Sequence, residues 1–433
     1  MQYRTVSFYD EFKCIGGACE DSCCDNWEID LDDGSLKLYM SQKGEFGKRL
    51  KKCTRVKDKQ FILNGVRCPF HNDDDLCDIF IEMGEEALCQ TCTNFPRHIE
   101  EFDDLKEVSL TMSCPEASRI MLSKKDKMTF ICKEGNDRDY GLKEIKAVSR
   151  FAFWKRGHEN KLDKPLFDKL YEARELIYDM LQDRTKPVPL RAVRILSFAK
   201  ELQDCVDEVG ERQYGSSKAY SEIDDIIERY RGKASYDGKD KCIDRDDDKS
   251  IDDNGDKCID NNKEDDYATD SEYHNTRVDN FVSQILNMYD GLENIKPEWK
   301  DILSLGKQHL KSESCRRDVT EFLENYKDKE YEFEHILVYY IFNYFLGASY
   351  DHDILTKVKF AVISYLVILQ LDVARWISQN KNFLYDDQVT VAHAYSKEVE
   401  HSYNNYESLQ LVLSAHPILT VDNIINRLKG GLL

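Results

Sequence analysis

Four cysteines fall within the stretch CIGGACEDSCC, at Cys14, Cys19, Cys23 and Cys24, and five more follow as Cys68-x8-Cys77-x11-Cys89-x2-Cys92 and then Cys114. Thiolates are soft ligands that suit zinc, copper(I) and iron–sulfur clusters, and a metal takes about four of them. Local features fit ligand duty. Gly16 and Gly17 provide a flexible turn between the first two cysteines, and Pro69 and Pro115 stiffen the chain directly after Cys68 and Cys114. LCQTC is a Cys-x2-Cys knuckle. Any single cysteine could instead be a buried core thiol. Nine of them exceed one four-ligand site, so the alternatives are two metal sites, or one cluster plus structural thiols. There is no paired Cys-x2-Cys quartet, and His71 and His98 are the nearby histidines, which tilts the reading from zinc towards iron–sulfur.

Disulfides are the competing use, and the rest of the composition bears on it. The start, MQYRTVSFYDEFKC, lacks a basic stretch followed by an apolar one, so no signal peptide is expected. The longest apolar run, FAVISYLVILQL, is shorter than the roughly 20 residues that cross a bilayer. The expectation is a cytoplasmic protein with no membrane partner, where thiols stay reduced and clustered cysteines favour metal. A formal net charge of −21 argues against general nucleic-acid binding and would favour encounter with a lysine-rich partner.

The elements that must position these residues read as mainly α. With 433 residues and 41% hydrophobic content, the chain can bury sizeable cores in two or three domains. The expected order is a cysteine-rich metal-binding domain over 1–125, a helical region over 126–232, a disordered acidic insertion over 233–276 and a C-terminal helical domain over 277–433. KPLFDKLYEARELIYDMLQ and RAVRILSFAKELQDCVDEV repeat apolar residues at helical spacing, with Pro187 and Pro189 between them. The segment 233–276 is rich in Asp, Lys and Asn, repeats DKCID, and has too few apolar residues to build a core. EHILVYYIFNYFLGAS and KVKFAVISYLVILQLDVARWI are apolar on most faces, as central helices of a bundle are. VAHAYSKEVEHSYNNYESLQLVL reads as one amphipathic helix. Val391, Tyr395, Val399, Tyr406 and Leu409 fall on one side, and His393, Lys397, Glu400, His401 and Asn404 on the other.

Taken in order, CIGGACEDSCCDNWEIDLD, CPFHNDDDLCDIF, GEEALCQTCTNFPR, SCPEASR and the C-terminal YSKEVEHSYNN resemble the flagellin lysine-N-methylase family over most of the chain. The double-cysteine element and the TCTNFP ending are shared with a wider group of cysteine-cluster proteins. The acidic insertion is not part of the family pattern. The resemblance implies an S-adenosylmethionine-dependent enzyme that methylates lysine side chains of flagellin and carries an iron–sulfur cluster of the [4Fe-4S] type. Carried over residue by residue, the metal candidates are Cys14, Cys19, Cys23, Cys24, Cys68, Cys77, Cys92 and Cys114, with Cys89 the least secure. Which four would hold the cluster is left open.

That activity sets a chemical demand. A lysine amine has a pKa of about 10.4 in water, so a site must remove its proton before it can attack a methyl carbon. Candidate bases are Glu85, Glu86, Glu398, Glu400 and His401. The bland alternatives are a helix start at GEE, 84–86, and a solvated polar stripe at 393–404. Arg97 could pair with a cofactor carboxylate and Trp27 could stack on a cofactor ring. No strand followed by a glycine-rich loop is present to cradle the cofactor, so adenosylmethionine binding rests on the resemblance. The same cysteines would serve a non-enzymatic iron–sulfur or zinc-binding module on a helical scaffold, acting as redox sensor, metal carrier or adaptor. The long helical C-terminal half speaks for an enzyme with a protein substrate.

Overall fold

The computed structural model describes residues 1–25, 29–143, 161–210, 214–216, 218–234 and 271–430. Helices dominate, as expected, but the described residues also contain six strands, all within the first 134 positions: β1 (Gln2–Val6), β2 (Thr54–Arg55), β3 (Gln60–Phe61), β4 (Arg97–Phe102), β5 (Leu105–Leu110) and β6 (Phe130–Glu134). Four of them form a mixed sheet in the order β4-β5-β1-β6, and β2 pairs with β3 apart from it. β4 and β5 make an antiparallel hairpin that turns at Asp103, whose φ of +55 is a left-handed value that Asp tolerates better than most residues. β1 lies parallel to β5, with Arg4 opposite Glu107, and antiparallel to β6.

β5 is buried at every position, so its charged side chains need partners inside the protein. Lys106 Nζ lies 2.8 Å from Glu101 and 2.6 Å from Asp137. Glu107, 2% exposed, meets the fully buried Arg174 guanidinium, whose Nη1 donates at 2.7 Å while Nη2 donates to the other carboxylate oxygen. Arg174 belongs to the helix Lys164–Leu181, so this two-pronged pair fastens the sheet to the helical body.

Two apolar cores result. The larger joins the sheet, through Tyr3, Phe102 and Val108, to the helices as far as Leu428. The smaller is built from Ile29, Tyr39, Leu50, Phe61, Phe70 and Ile79 together with Cys68 and Cys89, and Cys24, Cys53, Cys77 and Cys92 pack against it. At the centre of the larger core runs the helix Ile354–Ser378, against the helices Val188–Val209, Pro297–His309, Tyr331–Tyr344 and Tyr403–Ala415. It is long and apolar enough to cross a membrane, but 94% of its most apolar window is buried within the fold, so packing accounts for its composition.

Three expectations are corrected. The helices beside the acidic segment run to Ala234 and resume at Ser271, inside the limits 233–276; residues 235–270 lie outside the described residues. The segment 391–413 is two helices, Tyr385–Glu400 and Tyr403–Ala415, because Ser402 starts a new one by accepting the Asn405 amide. The polar side of the first is not solvated: His393, Lys397, Glu398 and Glu400 are all buried.

Candidate functional site

On the buried polar face of Tyr385–Glu400, His393 and Lys397 are covered by the cysteine loop. Asp21, between Cys19 and Cys23, reaches across to both. Its Oδ2 lies 2.6 Å from His393 Nε2, and its Oδ1 accepts from Lys397 Nζ at 2.7 Å and from Lys296 Nζ. Burial would raise the Asp21 pKa, but the His393 hydrogen bond and the two lysines outweigh it and hold the carboxylate well below its ordinary range. Lys397, with a side chain 2% exposed, has its pKa lowered by burial against the pull of Asp21.

A cavity of about 230 Å³ lies along this seam, walled by Asp21, Pro115, Lys296, Trp299, His393 and Glu398 among others. That is below the roughly 300–1,000 Å³ of sites that enclose a whole small-molecule ligand, and suits an inserted side chain. Glu398 accepts the backbone amides of Ile295 at 2.8 Å and Lys296 at 2.5 Å. Burial nevertheless raises its pKa to about 7, against those two hydrogen bonds. A carboxyl set there exchanges protons near neutral pH.

The other expected bases stand differently. Glu400 accepts hydroxyls from Tyr339 at 2.8 Å and Tyr344 at 2.6 Å, and from Ser396, and burial raises its pKa. His401 sits 2.7 Å from Ser113 Oγ, and burial, aided by Lys397, lowers its pKa to about 3, which makes it a poor proton acceptor. Glu85 and Glu86 are exposed, Glu85 opening the single turn Glu85–Ala87 beside the small core, and they do not line the cavity. Arg97 is engaged structurally: its Nε donates to Tyr9 Oη at 2.9 Å and to the Tyr140 carbonyl at 3.1 Å. Gly141, at φ +65, packs so closely that a Cβ would lie 2.9 Å from Arg97 Nη2. Trp27 lies outside the described residues.

The described cysteines are all free thiols. They fall into two neighbourhoods. Cys19, Cys23 and Cys114 have raised pKa values, Cys19 and Cys114 chiefly through burial and Cys23 through its hydrogen bond to Cys24, and all three feel Cys14. This group borders the cavity: Asp21 and Pro115 are its chain neighbours, and Cys23 is near enough to act on Lys397. In the second group, Cys68 and Cys77 have thiol pKa values raised by burial, Cys92 by its hydrogen bond to Cys89 and by burial, and all three feel Cys24. Cys77, Cys89 and Cys114 each stand at the N-cap of a short helix. At two of them backbone amides favour the thiolate against burial, those of Phe80 and Ile79 at Cys77 and those of Ala117 and Glu116 at Cys114.

Such soft donors suit an iron–sulfur cluster in type and number. Among the described residues, however, no three His, Cys, Asp or Glu side chains converge as a ready-made metal site. The fit is one of donor chemistry and neighbourhood, without a preformed ligand shell. Asp21, Lys296 and Ser113 were not singled out by sequence, since nothing local ties Asp21 to partners 372 and 376 positions away.

Comparison with known proteins bears on this geometry. A family model described as the FliB lysine N-methylase C-terminal domain matches residues 174–426. The flagellar biosynthetic protein FliU of Salmonella muenchen is 31% identical over 138 residues, which cover 29% of this chain and 79% of that protein. Lysine-N-methylases of Salmonella typhimurium and Salmonella choleraesuis are each 31% identical over 133 residues, covering 29% of this chain and 33% of theirs. The matched stretch thus spans a third of the length of those two methylases. No solved structure matches.

Proposed function

The chain belongs to the FliB lysine N-methylase family, and on that premise we propose that it methylates side-chain amines of lysines on a flagellin-type protein, in the cavity between the cysteine loop and the helix Tyr385–Glu400. S-adenosylmethionine, when bound, would supply the methyl group as a carbon on a positively charged sulfur. The chain's own task is to present a neutral amine. Glu398, partly ionised near pH 7, takes the proton from the incoming ammonium. Lys296, paired with Asp21, brings positive charge to the same wall, which favours the neutral amine over the ammonium. Asp21 also holds the cysteine loop in register with the helix that carries Glu398. Cys24, Cys68, Cys77 and Cys92, with Cys89 beside them, would hold the iron–sulfur cluster as thiolates.

Glu398 at the wall of a cavity sized for a side chain is the observation that supports this reading most. Mass spectrometry of flagellin lysines from cells with and without the chain tests it. Methyl-lysine restricted to cells that contain the chain is expected; the same unmodified lysines in both would refute the reading.

A further inference from the structure

A second cavity, of about 470 Å³, opens between the helices Tyr331–Tyr344, Ile354–Ser378 and Tyr403–Ala415, with Glu100 of β4 at its wall. Its chemistry differs from the first. Four carboxylates line it, Glu100, Asp351, Asp353 and Glu407, against the single base Lys357. Lys357 is already committed, with Nζ 2.7 Å from Asp351 and 3.4 Å from Gln410 Oε1. Tyr344, Tyr403 and Tyr406 complete the wall, and the rings of Tyr344 and Tyr406 stack at 5.3 Å. Two donors are left over. Asn343, 3% exposed, accepts Ser109 Oγ at 2.6 Å through Oδ1, while among the described residues its buried Nδ2 has no partner, nor does the Nε2 of Gln410.

Excess carboxylates and tyrosine rings match a cation, and unmatched amide N–H groups match a carbonyl oxygen. A lysine residue within a polypeptide offers both: an ammonium on a flexible stem and backbone carbonyls at its base. The same carboxylates raise the pKa of an amine they surround, so a lysine here stays protonated and keeps no lone pair for a methyl carbon. We propose that this cavity is a docking pocket for the protonated side chain of a lysine in a partner polypeptide, which it holds without modifying. It would anchor a basic segment, and its binding does not depend on methyl transfer.

The test uses the full chain without cofactor and a fluorescein-labelled peptide carrying one lysine among glycines and serines. The same peptide with norleucine in place of lysine is the comparison. Glu407→Lys alters an exposed residue, and Asp353→Asn keeps an oxygen for the Thr356 amide that Asp353 caps. The lysine peptide should bind about tenfold more tightly than the norleucine peptide, and the double variant should remove most of that advantage. Equal binding of the two peptides, or an advantage untouched by the double variant, overturns the proposal. Competitive displacement of the peptide by S-adenosylmethionine overturns it too, since the cavity would then belong to the cofactor. Because the readout is binding alone, absence of methylation would count against the methylase reading and leave this one standing.

Discussion

Glu398, Glu400 and His401 lie within four residues of one another, yet their surroundings differ sharply. Burial brings the Glu398 carboxyl to about 7 at a cavity wall, raises that of Glu400 where three hydroxyls already serve it, and drives the His401 imidazole down to about 3. The base form of Glu398 exists above its pKa, so methyl transfer should climb as pH rises through about 7. Rate against pH for the wild type and Glu398→Gln checks this: the variant should lose roughly 10²-fold in rate and also lose that inflection. An unchanged inflection in the variant would assign the base elsewhere. The residue types at 393–401 were legible in the sequence as candidates. Their burial was not, because the cover comes from residues far away in sequence: Asp21 over His393 and Lys397, Ile295 and Lys296 over Glu398, and Tyr339 and Tyr344 over Glu400. A polar helical stripe looks the same whether water or protein lies over it.

At the scale of elements, helical periodicity carried most of the reading. Lys164–Leu181, Val188–Val209 and Ile354–Ser378 lie close to where apolar spacing places them. The sheet was hidden for a physical reason: LKEVSL of β5 carries Lys106 and Glu107 at buried positions, and the partners that make this tolerable, Asp137 and Arg174, sit on other elements. Arg174→Met should therefore destabilise the protein by about 3 kcal/mol, measured by denaturant unfolding, since it strands a buried carboxylate. Arg4, 3.9 Å from Glu107, keeps the cost at the lower end of what breaking a buried pair entails. The helix-capping cysteines invite a parallel test. Cys77→Ser should lose most of the iron bound by anaerobically purified protein, whereas Cys205→Ser, in the helix Val188–Val209, should keep it. Equal iron in both would remove Cys77 from the ligands.

Over the whole molecule, the cysteine loop and the C-terminal helices meet at one seam, which Asp21 closes. The cysteine pattern raised the expectation of a metal, and the helical half that of a scaffold. How the two are joined was out of reach, because the join is a shared apolar core and a few ion pairs between residues far apart in sequence. The family match shows a lysine N-methylase family, and the proposed function sets its amine chemistry at the seam. The most direct measurement is transfer of labelled methyl groups from S-adenosylmethionine to flagellin lysines by the purified, anaerobically reconstituted chain, compared with Glu398→Gln and Glu85→Gln. The account predicts transfer by the wild type and by Glu85→Gln, with loss in Glu398→Gln; wild-type transfer that survives Glu398→Gln undiminished, or no transfer at all, would contradict it.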